Sequence, residues 1–157
     1  MHPLLIFAGG AAVVATAIKI VDVIFSKNKI FISYYYDKEK TLKRLLKAWN
    51  KNEKFDIEFE DMSADIALDT KNDQELEKEL TKRIKNSDII LVLIGSKTHA
   101  RKWVTYEIEE AVRLSKPIIA VKQSRNHKSP TALKGVGANW VYGFKAKKVS
   151  DAIKGCL

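Results

Sequence analysis

The chain has 157 residues, enough for one domain of ordinary size around a single core. Apolar residues make up 46% and charged residues 30%, which argues against global disorder, and a lone cysteine, Cys156, excludes an intrachain disulfide. The net charge of +9 is uneven: residues 53–79 hold 11 of the 19 acids against three lysines, and residues 111–157 hold one acid, Asp151, against ten Lys/Arg.

The first segment, residues 1–26, stands apart. Pro3 to Phe25 is apolar but for Lys19 and Asp22, and a bare membrane span needs roughly 20 such residues. Those two charges are three apart on a helix and can pair, and the lysine can snorkel toward headgroups. Ser26, Lys27 and Lys29 give a basic flank, which under the positive-inside tendency keeps the following domain in the cytoplasm. The expectation is therefore an apolar helix that anchors the chain to a membrane through residues 3–25, followed by a domain over 27–157. Two rivals stay open. Ala15-Thr16-Ala17 suits a cleaved signal peptide, although no Lys or Arg precedes the apolar run. A helix buried in a soluble core would make the protein plainly cytoplasmic.

From Lys29 onward, strand and helix patterns alternate. KIFISYYY opens with a continuous apolar run, as a strand buried on both faces does. DKEKTLKRLLKAWNK spaces Leu42, Leu45, Leu46 and Trp49 as a helix, with Asp37 placed to cap its start. FDIEFED alternates Phe55, Ile57 and Phe59 with acids, the pattern of a half-exposed edge strand. A polar stretch from Met62 to Asn72 reads as a functional loop. DQELEKELTKRIKNS is a second helix whose acids come first and bases last, matching the helix dipole. DIILVLIG is the most apolar strand and is expected at the centre of the sheet. RKWVTYEIEEAVRLS then reads as an amphipathic helix with Val104, Ile108, Ala111 and Ser115 on its inward stripe. KPIIAVKQ and NWVYGF are two further strands, and KAKKVSDAIKGC closes the chain as a helix.

Alternating strands and helices predict an α/β fold: a five-stranded parallel sheet flanked by helices, in the flavodoxin-like order 2-1-3-4-5. Ligands of such sheets sit beyond the carboxyl ends of the strands, where the strand order reverses. Here that crevice lies between strand one, ending at Ser33-Tyr34-Tyr35, and strand three, ending at Gly95-Ser96-Lys97. Glu107 falls on the inward stripe of the next helix, in its first turns, and so near the crevice. It either lines a site or serves the structure, pairing with Lys97 or Arg101 near a helix start. Trp103 is open between packing and substrate stacking, and Ser33 between a site and a helix cap. Several chemistries can be set aside. There is no Walker motif, and GVGANW precedes a strand rather than opening a helix, so it is no dinucleotide fingerprint. The three histidines are scattered and form no metal-ligand spacing, so no metal is expected. The basic C-terminal third comes without a recognition helix, zinc finger or RNA-binding signature, which disfavours nucleic acid as a partner.

Two segments resemble a known family. KIFISYYYDKE is similar to the first strand and loop of TIR domains, which commonly open FISY. DIILVLIGSKTHARKWVTYEIEEAVRLSKPIIAV is similar to their third strand through fourth strand, and WVTYEI keeps the tryptophan-to-glutamate spacing of NAD-cleaving members. LKGVGANWVY adds to the likeness, which spans roughly 29–157 and is nearest to the bacterial branch that includes the signal-making component of Thoeris antiphage systems. The resemblance implies that Glu107 is catalytic and that NAD is a substrate rather than a cofactor. It further implies that Trp103 walls the pocket and that Ser33, Tyr34 and Tyr35 approach the nucleotide; Ser96, at the end of strand three, is a further substrate-binding candidate by its place at the crevice. Asp61 and Ser63 would complete a neighbouring subunit's site, in a homo-oligomer. Some NAD-cleaving members carry a basic residue just after FISY, where this chain has Tyr35.

Two functions follow from the resemblance. One is an enzyme of antiphage defence that cleaves NAD into an ADP-ribose-derived signal, linear or cyclic, read by a downstream effector protein. The alternative is a non-catalytic TIR-like assembly module, clustered at the membrane by its N-terminal segment.

Overall fold

A computed structural model of the protein describes residues 28–51, 59–61 and 72–157. The expected anchor over residues 1–26, Phe55 and Ile57 of the edge strand, and Ser63 with the rest of loop 62–71 lie outside the described residues. Among the described residues no helix is long and apolar enough to cross a membrane.

The chain alternates β1 (Asn28–Ser33), α1 (Tyr36–Lys51), β2 (Phe59–Asp61), α2 (Asp73–Lys85), β3 (Ile89–Ile94), α3 (Lys102–Arg113), β4 (Ile118–Lys122), β5 (Asn139–Tyr142) and α4 (Ala146–Lys154). Short 3₁₀ turns precede α3 at Thr98–Ala100 and β5 at Thr131–Leu133. Strands β1, β3, β4 and β5 form the body of a parallel sheet, and the three-residue β2 lies parallel along the outer edge of β1, for the order β2-β1-β3-β4-β5. All six residues of β3 are buried, and they are Ile, Leu and Val throughout. A strand covered by helices on both faces can bury every side chain, and branched side chains fit the pleat.

Strand alternation divides the core in two. Ile30 and Ile32 of β1 and Leu91 and Leu93 of β3 pack on the face covered by Leu46 of α1 and Val149 and Ile153 of α4. Phe31, Ile90 and Val92 pack on the other face, against Leu76, Leu80 and Ile84 of α2 and Val104 and Ile108 of α3. The same parity sends Ser33, two residues after Phe31, to the α3 side. Ser33 is buried at the carboxyl end of its strand.

Local signals account for both ends of α2. The side chain of Asn72 accepts a hydrogen bond from the backbone N–H of Glu75 at 2.9 Å and caps α2. The amine of Lys116 donates to the carbonyls of Lys85 and Ser87 just past the other end of that helix. Two expectations need correction. Helix α1 already begins at Tyr36, so Asp37 falls within its first turn rather than at the cap. Helix α3 ends at Arg113, and Ser115 is an exposed turn residue with φ of 53°, not the last position of the buried stripe. Pro117 explains the early stop: it disfavours helical backbone at Lys116, and the chain must turn at once to enter β4.

Candidate functional site

The crevice between β1 and β3 holds a hydrogen bond that joins two distant segments. The Ser33 hydroxyl donates to a carboxylate oxygen of Glu107 at 2.5 Å. Glu107 stands in the second turn of α3, between the buried Val104, Ile108 and Ala111. Helical spacing turns its carboxyl inward, and the parity of β1 turns Ser33 to meet it. The hydroxyl therefore serves Glu107 and does not cap α1. Burial pushes the Glu107 pKa up to about 8, against the lowering effects of the Ser33 hydrogen bond and the Lys43 charge. A carboxyl shifted this far by burial, beside a strand end, makes Glu107 the candidate functional group of the crevice.

Lys43 is the cation whose charge reaches Glu107, and Arg101 lies on the neighbouring Tyr35. Lys43 of α1 is almost wholly buried, only 3% exposed, with its amine 3.2 Å from an Asp61 carboxylate oxygen and 4.9 Å from the centre of the Tyr34 ring. Arg101, at the start of α3, lays its guanidinium 3.8 Å from the centre of the Tyr35 ring, and its Nε is buried without a hydrogen-bond partner among the described residues. The sequence offered Arg101 only as a partner for Glu107, a place that Ser33 takes instead, and Lys43 did not stand out. Lys43 sits in KRLLK and resembles any solvated helix charge. Arg101 meets Tyr35 only because the sheet brings the ends of β1 and β3 together. Arg101 thus places a cation on the ring of Tyr35, the residue that follows FISY.

The other predicted residues divide. Tyr34 and Tyr35 follow Ser33 at the mouth of the crevice and are half-buried. Ser96 is exposed in the turn after β3, where Thr98 is the buried hydroxyl and accepts the Gly95 N–H at 2.8 Å. Trp103 leans toward the α2 side of the core, edge-on to Tyr106 at 5.9 Å, with the Lys102 amine over its ring. Tyr106 in turn hydrogen-bonds Thr81 of α2 at 2.8 Å. Asp61 is held by Lys43 and by Lys47 at 3.6 Å, at the end of β2. Two hollows open elsewhere and do not include Glu107. One, of about 550 Å³, lies between α2 and Tyr106, and the other, of about 440 Å³, lies beside β5. Among the described residues no group of three or more His, Cys, Asp or Glu could hold a metal ion.

Similarities to known proteins fall on this same frame. Among solved structures, the Clostridium botulinum CMP N-glycosidase BcmB superimposes over 83% of this chain and 100% of its own, with 15% identity and a TM-score of 0.55. The 2-deoxyribosyltransferase of Bacillus psychrosaccharolyticus superimposes over 78% and 90%, with 16% identity and a TM-score of 0.53. The TIR domains of the activated Roq1 resistosome match 61% of this chain and 57% of theirs, with 16% identity and a TM-score of 0.44. At such identity the likeness is one of fold. No curated protein matches the chain. The family described as "Thoeris protein ThsB, TIR-like domain" matches residues 31–128, which include Ser33, Arg101, Trp103 and Glu107. The protein belongs to the Thoeris ThsB TIR-like family.

Proposed function

We propose that the protein cleaves NAD at its nicotinamide–ribose bond and releases an ADP-ribose-derived signal for an effector in antiphage defence, with Glu107 as the catalytic residue. The observation that carries this reading is the Ser33–Glu107 hydrogen bond at the switch point of a Thoeris TIR-like sheet. The chemistry suits a half-buried carboxylate held in a crevice. The bond from ribose C1′ to the nicotinamide nitrogen breaks, and its electron pair leaves with the ring, which becomes neutral. The ribose is left as an oxocarbenium cation, which a fixed carboxylate beside it stabilises. Water then adds to C1′ and loses a proton, giving ADP-ribose; a nucleophile within ADP-ribose gives a cyclic product instead.

The surroundings have matching roles in this reading. Ser33 fixes the carboxylate, and Arg101, stacked on Tyr35 with an unpartnered N–H, meets the diphosphate. Tyr34 and Ser96 lie at the ends of the two strands that flank the crevice. Trp103, one turn before Glu107, is near enough along the helix to wall the site. Asp61 and Ser63 would contribute to a neighbouring copy's site. The N-glycosidase and the deoxyribosyltransferase, by their names, act on nucleosides or nucleotides, which agrees with a flavodoxin-like crevice used for glycosidic bonds.

The test is NAD consumption by the full-length chain at high concentration, wild type against Glu107→Gln, with products resolved by mass. Wild type is expected to release nicotinamide, and the variant to lose at least about a hundredfold in rate. Equal turnover in both would remove Glu107 from the chemistry. No turnover in either, together with concentration-dependent assembly, would make the protein an interaction module.

A further inference from the structure

We propose that the hollow beside β5 binds a nucleoside phosphate, as a site separate from the Glu107 crevice. It measures about 440 Å³, within the range of roughly 300–1,000 Å³ typical of small-molecule sites. Its walls carry Lys122, Ser129, Thr131, Lys134, Trp140 and Tyr142. The buried Leu133 helps form its floor. Trp140 and Tyr142 are two residues apart on β5 and therefore share a face. Their rings are nearly parallel, at 15°, with centres 6.2 Å apart. Tyr142 is 39% exposed, and Arg125 lies over its ring at 4.6 Å. Register places Lys122 opposite Tyr142 at the carboxyl ends of β4 and β5.

Three features define the ligand class. The aromatic pair is a platform for a flat ring, since stacking on Trp and Tyr does not depend on the identity of a base. Lys122, Lys134 and Arg125 supply positive charge, and none of them has a carboxylate partner among the described residues. No acidic residue lines the hollow. The hydroxyls of Ser129 and Thr131 add donors suited to phosphate oxygens. A ligand that joins a flat ring to a phosphate satisfies all of these groups together. The hollow has room for one nucleotide, whereas a nucleic-acid strand needs successive platforms along a groove.

The three tryptophans provide the measurement. Trp140 lines the hollow, Trp103 lies on α3 near Glu107, and Trp49 stacks on Phe144 on the opposite face of the sheet. Full-length protein labelled at its indole nitrogens is titrated with ADP, adenosine, inorganic phosphate and a short single-stranded oligonucleotide. ADP is expected to move the Trp140 signal saturably while Trp49 stays fixed, with adenosine and phosphate each at least tenfold weaker. Tyr142→Ala and the double change Lys122→Glu, Lys134→Glu are each expected to weaken ADP at Trp140 roughly tenfold or more. Both leave the Glu107 crevice intact. A Trp140 signal unmoved by millimolar ADP would overturn the proposal. So would phosphate acting as strongly as ADP, which would mean an anion patch, or an oligonucleotide binding far more tightly, which would mean a nucleic-acid surface.

Discussion

In the proposed reaction, Glu107 couples activity to pH. Its pKa stands at about 8 because burial disfavours the charged form. The proposed chemistry needs the carboxylate, so kcat/KM is expected to rise about tenfold per pH unit below 8 and to level off above it. Ser33 donates to the carboxylate and lowers its pKa, so Ser33→Ala should move the inflection to higher pH, as a pH–rate profile would show. The same shift bears on stability. A carboxyl whose folded pKa exceeds its unfolded value contributes its stability below the unfolded pKa and loses it as pH rises through the folded pKa. The window here runs from about 4.5 to about 8. Glu107→Gln keeps the shape and the Ser33 contact without the charge. It should therefore stabilise the fold at pH 8.5 by a few kcal/mol, and by much less at pH 4.5, as denaturant unfolding at the two pH values would measure. Glu107 was legible in the sequence because a carboxylate on an inward helical stripe breaks the pattern. The stacking of Arg101 on Tyr35 was not, because it joins positions 66 residues apart.

At the scale of elements, the ion pair between Lys43 and Asp61 ties α1 to the edge strand β2. The lysine side chain is 4% exposed and the aspartate 13%. Removing one partner of a buried pair typically costs about 3–5 kcal/mol. Lys43 also lies over the Tyr34 ring and near the Glu107 carboxyl, so Asp61→Ala is expected to destabilise the protein by about the lower end of that range. Adding Lys43→Met should recover most of the loss, because the second change removes the buried charge that lost its carboxylate and keeps the stem's packing. A double variant no more stable than Asp61→Ala alone would show that the pair is not what holds the edge. Within its own chain Asp61 is held by Lys43 and Lys47, and its expected service to a neighbour's site stays part of the proposal. The sequence could not display this pair. Lys43 follows Leu42 in a helix rich in lysine, and burial of its stem and amine arises only once Tyr34 and β2 are in place. Strand order was far more legible, since continuous apolar runs such as IILVLI occur where helices cover both faces of a parallel sheet. The end of α3 was misread because apolar spacing ran on to Ser115, while Pro117 two residues later set the stop.

At the scale of the whole molecule, the expected N-terminal anchor bears on where the proposed chemistry would take place. Residues 3–25 carry only Lys19 and Asp22 as charges, and a basic flank follows them at Lys27 and Lys29. Residues 111–157, with ten Lys/Arg against one acid, add attraction to anionic surfaces that weakens with salt. The two contributions can therefore be separated. If residues 3–25 span a bilayer, full-length protein sediments with membranes and stays there through carbonate and high salt, whereas residues 27–157 remain in the supernatant under both. If only the basic surface binds, full-length protein and residues 27–157 sediment alike at low salt, and both are released at high salt. An intact chain that stays in the supernatant at every salt concentration would remove the anchor, and NAD cleavage, if present, would then proceed without a membrane. Retention of the full-length chain alone would confine the crevice to two dimensions. There a neighbouring copy's loop is at high effective concentration, so turnover per molecule should rise with its density on vesicles.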